Sequence, residues 1–135
     1  MNETNGYGIT FDPRSKTGTI WYDQLYHKIP VNHGQLAIHL NKYGVVSDVQ
    51  NRLIYNISAP TVPKISSDNV IDMLQKKYAR DDIPEPQLCI FDNKLVWRDN
   101  ISIPTFKEVM IDSQNGEIVL ERSNVRSVKS GRIFK

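Results

Sequence analysis

Only one window of this chain, residues 66–79 (SSDNVIDMLQKKYA), repeats its apolar residues with the period of a helix. Val70, Ile71, Leu74 and Tyr78 fall on one stripe, and Ser66, Ser67 and Asp68 are suited to cap its start. Lys76 and Lys77 stand at the end, where the helix dipole favours cations, and the prolines of RDDIPEP stop the helix. Elsewhere β-branched and aromatic residues alternate with polar ones between short turns. The segments YGITF, TIWYDQLYH, QLAIHLN, QLCIFD, LVWRDNIS, FKEVMIDS and EIVLERS read as strands, and VVSDV and RLIYNI as two strands or one bent strand. Asn115-Gly116, between two apolar alternations, is the strongest hairpin signal. This order predicts an α+β fold: an antiparallel meander packed by one main helix at 66–79, after an N-terminal β-rich lobe. The expected boundaries are a lobe at 1–57, a Ser/Pro linker at 58–65, a helix-plus-sheet unit at 66–121 and a tail at 122–135.

With 135 residues, 39% of them hydrophobic and 24% charged, the chain has the composition of a globular domain or two small lobes. No apolar run approaches the roughly 20 residues that span a bilayer, so no membrane insertion is expected. The start, MNETNGYGIT, lacks the basic and apolar regions of a signal peptide; the chain reads as cytosolic as written, or as a piece of a longer precursor. Cys89 is the single cysteine, which excludes an internal disulfide. The net charge of +2 is uneven. Residues 121–135 carry five basic residues and one acid, whereas residues 1–120 carry 12 basic and 14 acidic residues. A basic tail on a mildly acidic body is not the basic, aromatic-studded face of a nucleic-acid-binding domain, and no nucleic acid is expected as partner.

The three histidines, His27, His33 and His39, are spaced six residues apart. His33 and His39 share strand parity, but an extended strand separates them by about 20 Å. No acid lies between them, and the chain has neither H-E-x-x-H nor paired cysteines, so edge imidazoles of a hairpin are the better reading than zinc ligands. Cys89 reads as a small buried hydrophobe, Asp81-Asp82 as solvated loop acids, and Trp21 and Trp97 as core. There is no G-x-S-x-G, phosphate loop or dinucleotide fingerprint; neither an enzyme nor a cofactor is expected.

With the segments in this order, residues 29–54 (IPVNHGQLAIHLNKYGVVSDVQNRLI) resemble the fungalysin/thermolysin propeptide (FTP) motif. The matching positions are Ile29-Pro30-Val31, Gly34-Gln35, Leu36, Ile38-His39, Asn41 and Gly44. KISSDNVIDMLQKKY, QLCIFDNKLVWRDNIS and VMIDSQNGEIV then resemble a PepSY domain, with Val70 in place of the family's alanine and Ile111-Asp112-Ser113-Gln114-Asn115-Gly116 in place of its V-D-A-x-T-G. The resemblance implies a cystatin-like fold and a prodomain that assists the folding of a secreted zinc metallopeptidase and inhibits it. It makes His39 a strand residue, and it implies a secreted or cell-envelope location with a zinc metallopeptidase domain as partner, in cis or in trans. In such prodomains the segment after the last motif leads towards the maturation site. Arg126, Lys129, Arg132, Ile133 and Phe134 of the tail are therefore expected to contact the partner. Arg98 is expected to join them from the strand 95–102, where Leu95 and Trp97 face the core and leave Val96 and Arg98 outside. The rival readings are a stand-alone PepSY-type protein that restrains envelope peptidases in trans, and a cystatin-like domain with a small-ligand pocket between helix and sheet.

Overall fold

The computed structural model describes residues 3–102 and 106–123, with side chains from residue 8 onward. The chain divides into two compact units, Met1–Ser58 and Ala59–Lys135.

The first unit is an antiparallel sheet of β1 (Glu3–Asp12), β2 (Thr17–Tyr26), β3 (Ile29–Leu40) and β4 (Val46–Arg52), paired in chain order. Its turns follow from local chemistry. His27 and Lys28 both have positive φ (48° and 67°), as a two-residue type I′ hairpin demands. At the other end of the sheet, the Asn41 side chain accepts hydrogen bonds from the backbone N–H groups of Tyr43 (2.9 Å) and Val45 (3.1 Å) and holds the β3–β4 turn. Register sorts the side chains by face. The rows Ile9–Ile20–Ile38–Val49 and Phe11–Gly18–Leu40–Val46 lie on one face, and Thr10–Thr19–His39–Asp48 on the other.

The second unit opens with α1 (Ser67–Tyr78). Ser66 is its N-cap; the hydroxyl accepts from Asn69 N–H at 3.2 Å, and left-handed Ala79 closes the other end by donating to the Gln75 carbonyl. Then β5 (Gln87–Phe91), β6 (Lys94–Ile101), β7 (Lys107–Asp112) and β8 (Ile118–Ser123) form an antiparallel meander. Val70 and Leu74 of α1 pack against Ile101, Val109 and Ile111, all five buried. Each such side chain contributes roughly 1.5–3 kcal/mol of transfer free energy.

The expectation of a cystatin-like α+β fold packed by a main helix is not met. The protein is β-rich: among the described residues, eight strands accompany one helix of 12 residues. So short a helix offers about three turns of apolar stripe, whereas the β-branched and aromatic residues that dominate the rest of the chain extend into strands of up to 12 residues. A second correction concerns Val96. Expected outside, it is fully buried with Cys89 and Met110, against Phe91, Val119 and Leu120. The sheet of the second unit therefore carries apolar clusters on both faces, and alternation alone tells which residues share a face, not whether that face is covered.

Candidate functional site

The histidines do not converge. His27 and His33 are exposed on positive-φ backbone, while the half-buried His39 pairs through Nδ1 with Thr19 Oγ1 at 2.8 Å and meets the edge of Trp21. Among the described residues, no three His, Cys, Asp or Glu side chains form a group suited to a metal ion. Cys89 is buried. Arg80 grips Asp82 at 2.5 Å, which holds the carboxyl below its ordinary range; a hydrogen-bonded ion pair next to a helix end is a structural clasp. Trp97 packs against the α1 cluster and donates from Nε1 to the Ile65 carbonyl at 2.7 Å.

Of the residues expected to meet a partner, Arg126, Lys129, Arg132, Ile133 and Phe134 lie outside the described residues. Arg98 is exposed, yet its Nε donates to Glu108 Oε2 at 2.6 Å. Arg122 holds the other oxygen of the same carboxylate, from Nε at 2.9 Å and from Nη2 at 2.7 Å. Glu108 is buried between two half-exposed guanidinium groups. Burial pushes its carboxyl up, but the hydrogen bond from Arg122 and the charges of Arg98 and Arg122 outweigh that and leave it below its ordinary value. Sequence reasoning missed this bracket because its members come from three strands, β6, β7 and β8.

Two further side chains escaped the sequence. Asp99 is buried, with Oδ1 accepting from Asn100 N–H and Oδ2 without a hydrogen-bond partner. Burial, with a smaller push from Glu85, raises its pKa to about 6 against the opposing Asn100 N–H. Gln24, wholly buried, donates from Nε2 to the Ile54 carbonyl and accepts from Ile54 N–H at Oε1, both at 2.8 Å.

The described surface most suited to a partner is the apolar face of the first unit's sheet. Ile9, Phe11, Val46 and Val49 are at least half exposed there, and Gly18, between Phe11 and Leu40, leaves a groove of about 300 Å³ with Lys16 and Lys42 on its lining. Exposed apolar side chains gathered on one sheet face mark an interaction surface. It offers shape and apolar area, with the polar groups of Thr10, Thr19, Lys16 and Lys42 on the groove lining. The space between helix and sheet in the second unit is filled by Val70, Leu74, Ile101, Val109 and Ile111. No helix among the described residues is long and apolar enough to cross a membrane. A comparison with curated proteins found no match to the chain. The family model of the Fungalysin/Thermolysin Propeptide Motif matches residues 11–53, so the propeptide motif runs from the last residues of β1 through β4.

Proposed function

We propose that the chain is a prodomain-like module that assists the folding of a secreted zinc metallopeptidase and keeps it latent. The observation that carries this reading is the propeptide motif at residues 11–53. Propeptides with this motif belong to metallopeptidase precursors, and such a propeptide is a regulatory module rather than a catalyst. A PepSY-like assignment for residues 66–121 is supported by the order of elements, one capped helix followed by a four-stranded meander. A prodomain joined to its peptidase acts at high effective concentration, so modest affinity is enough for latency. The basic tail residues Arg126, Lys129 and Arg132, with Ile133 and Phe134, are then the inhibitory segment.

The test is inhibition of a thermolysin-type zinc peptidase by the full chain and by a copy ending at Ser123. That end point keeps β8 and the Arg122–Glu108 pair whole. Inhibition by the full chain that is lost on truncation is the expected result and assigns the contact to the tail. Equal inhibition by both assigns it to the folded units. No inhibition by either, with both chains intact after the assay, overturns the inhibitory role towards that peptidase.

A further inference from the structure

In an antiparallel sheet paired in chain order, the β1–β2 and β3–β4 turns fall at the same end. Here the ends are flush: Asp12 pairs with Thr17, and Leu40 with both Gly18 and Val46. This end gathers exposed apolar side chains, with Phe11 64%, Tyr43 76% and Val45 58% accessible. It also gathers three exposed cations, Arg14, Lys16 and Lys42. Asp12 is the single acid in the two turns, accepting from Arg14 N–H at 2.9 Å, and the exposed Asp48 follows one strand pair further in, opposite His39. Both turns are pre-shaped. Lys16 N–H donates to the Asp12 carbonyl at 2.7 Å, and Asn41 N–H to the Val45 carbonyl at 2.8 Å. Ordering these loops on a surface therefore costs little.

We propose that this end of the first unit docks on anionic lipid bilayers. Phe11, Tyr43 and Val45 reach the headgroup level, and Arg14, Lys16 and Lys42 meet lipid phosphates. The chain lies on the membrane rather than crossing it. The charge pattern selects this occupant: at the two turns three cations outnumber the one acid, and the excess positive charge complements an anionic surface, whose attraction on nearby lysines and arginines is substantial. Shape agrees. A bilayer interface accepts aromatic and aliphatic side chains from a strand end and a separate turn, and an exposed tyrosine suits the level where apolar chains meet headgroups. This inference stands apart from the peptidase reading and survives its failure.

The experiment is co-sedimentation of the full chain with vesicles of phosphatidylcholine alone and with about 30% phosphatidylglycerol. Binding to the anionic vesicles only is expected. Lys16→Glu/Lys42→Glu is expected to lower it by roughly thirtyfold or more, and Phe11→Ser/Tyr43→Ser is expected to lower it as well. All four positions are exposed, so both variants fold, and a thermal melt of each confirms it. Absence of binding to anionic vesicles overturns the proposal. So does binding that both variants retain, which belongs to another part of the chain such as the basic tail. A dimer in solution that Phe11→Ser/Tyr43→Ser dissociates, without vesicle binding, also overturns it and makes this face a self-interface.

Discussion

Gly34 shows how a single missing side chain organises the first unit. A Cβ at this position would stand 2.3 Å from Gln24 Oε1 and 2.8 Å from Gln24 Cβ. Gln24 has no room to retreat, since it is wholly buried and its amide holds both backbone groups of Ile54. Gly34→Ala is expected to destabilise the protein by roughly 2–4 kcal/mol in urea unfolding, as overpacking and a lost polar clamp add. Gln24→Ala is expected to cost roughly 1–3 kcal/mol, and the double variant less than the sum, because removing Gln24 also removes the clash. Strict additivity would show that the two residues do not meet. Asp99 yields a different residue-scale outcome. Its pKa of about 6 is above the ordinary 3.8, so the folded protein holds this proton more tightly than the unfolded chain. The contribution of Asp99 to stability is full below the ordinary value and is lost as pH rises through about 6. Asp99→Asn is expected to gain roughly 1–2 kcal/mol on the parent at pH ~8 and almost nothing at pH ~4. A difference that does not change with pH, measured by urea titration at both values, would place the Asp99 carboxylate in water.

Between elements, the Arg98–Glu108–Arg122 bracket ties β6, β7 and β8 by side chains as well as by the ladder. Because its pKa is depressed, Glu108 contributes stability above the ordinary carboxylate value of 4.5, and that contribution is lost as pH falls through its folded value. Glu108→Gln keeps the shape and removes the charge; it is expected to cost roughly 1–3 kcal/mol at neutral pH, and its stability should vary less between pH ~5 and ~3 than that of the parent. An unchanged acid limb would assign the acid sensitivity to another carboxylate. Glu121 is one, on β8: the Tyr78 hydroxyl donates to it, and Lys77 and Lys107 stand beside it, so its carboxyl is also held down. Burial, and then the same contact, push the Tyr78 phenol well above its ordinary value. Through it α1 is joined to the last strand by a polar link in addition to its apolar stripe. The bracket also alters the meaning of Arg98. A partner that recruits this guanidinium must first part it from a buried carboxylate, which costs more than capturing a free surface arginine.

At the scale of the molecule, the strand pattern, the capped helix and the propeptide motif were all legible along the chain, because each is written in neighbouring residues. Ser66 caps α1 through a hydroxyl three residues from its donor, and the Ile29–Gly44 positions of the motif lie on a single strand and its turn. The hairpin at Asn115-Gly116 was legible as a turn but not as a type: only Gly116 has positive φ, and the loop closes through Asp112 N–H to Glu117 O. The fold class was not legible in this way: one clear helical period marks a helix of only 12 residues, while the strands carry most of the chain. Val96, Glu108, Asp99 and Gln24 were illegible for one reason. Whether such a residue is covered, bracketed or left unpaired depends on groups that other elements bring to it, such as the Arg98 side chain for Glu108 and the Ile54 backbone for Gln24. The sequence by itself determined which residues alternate, where the chain turns and which propeptide motif it carries, because those depend on backbone preference at short range. Only the tertiary structure decided which faces are covered, which carboxylates are bracketed or stranded, and that the β1–β2 and β3–β4 loops bring Phe11, Tyr43 and three cations to one end. Burial and charge proximity are properties of positions in space, and strand pairing sets those positions.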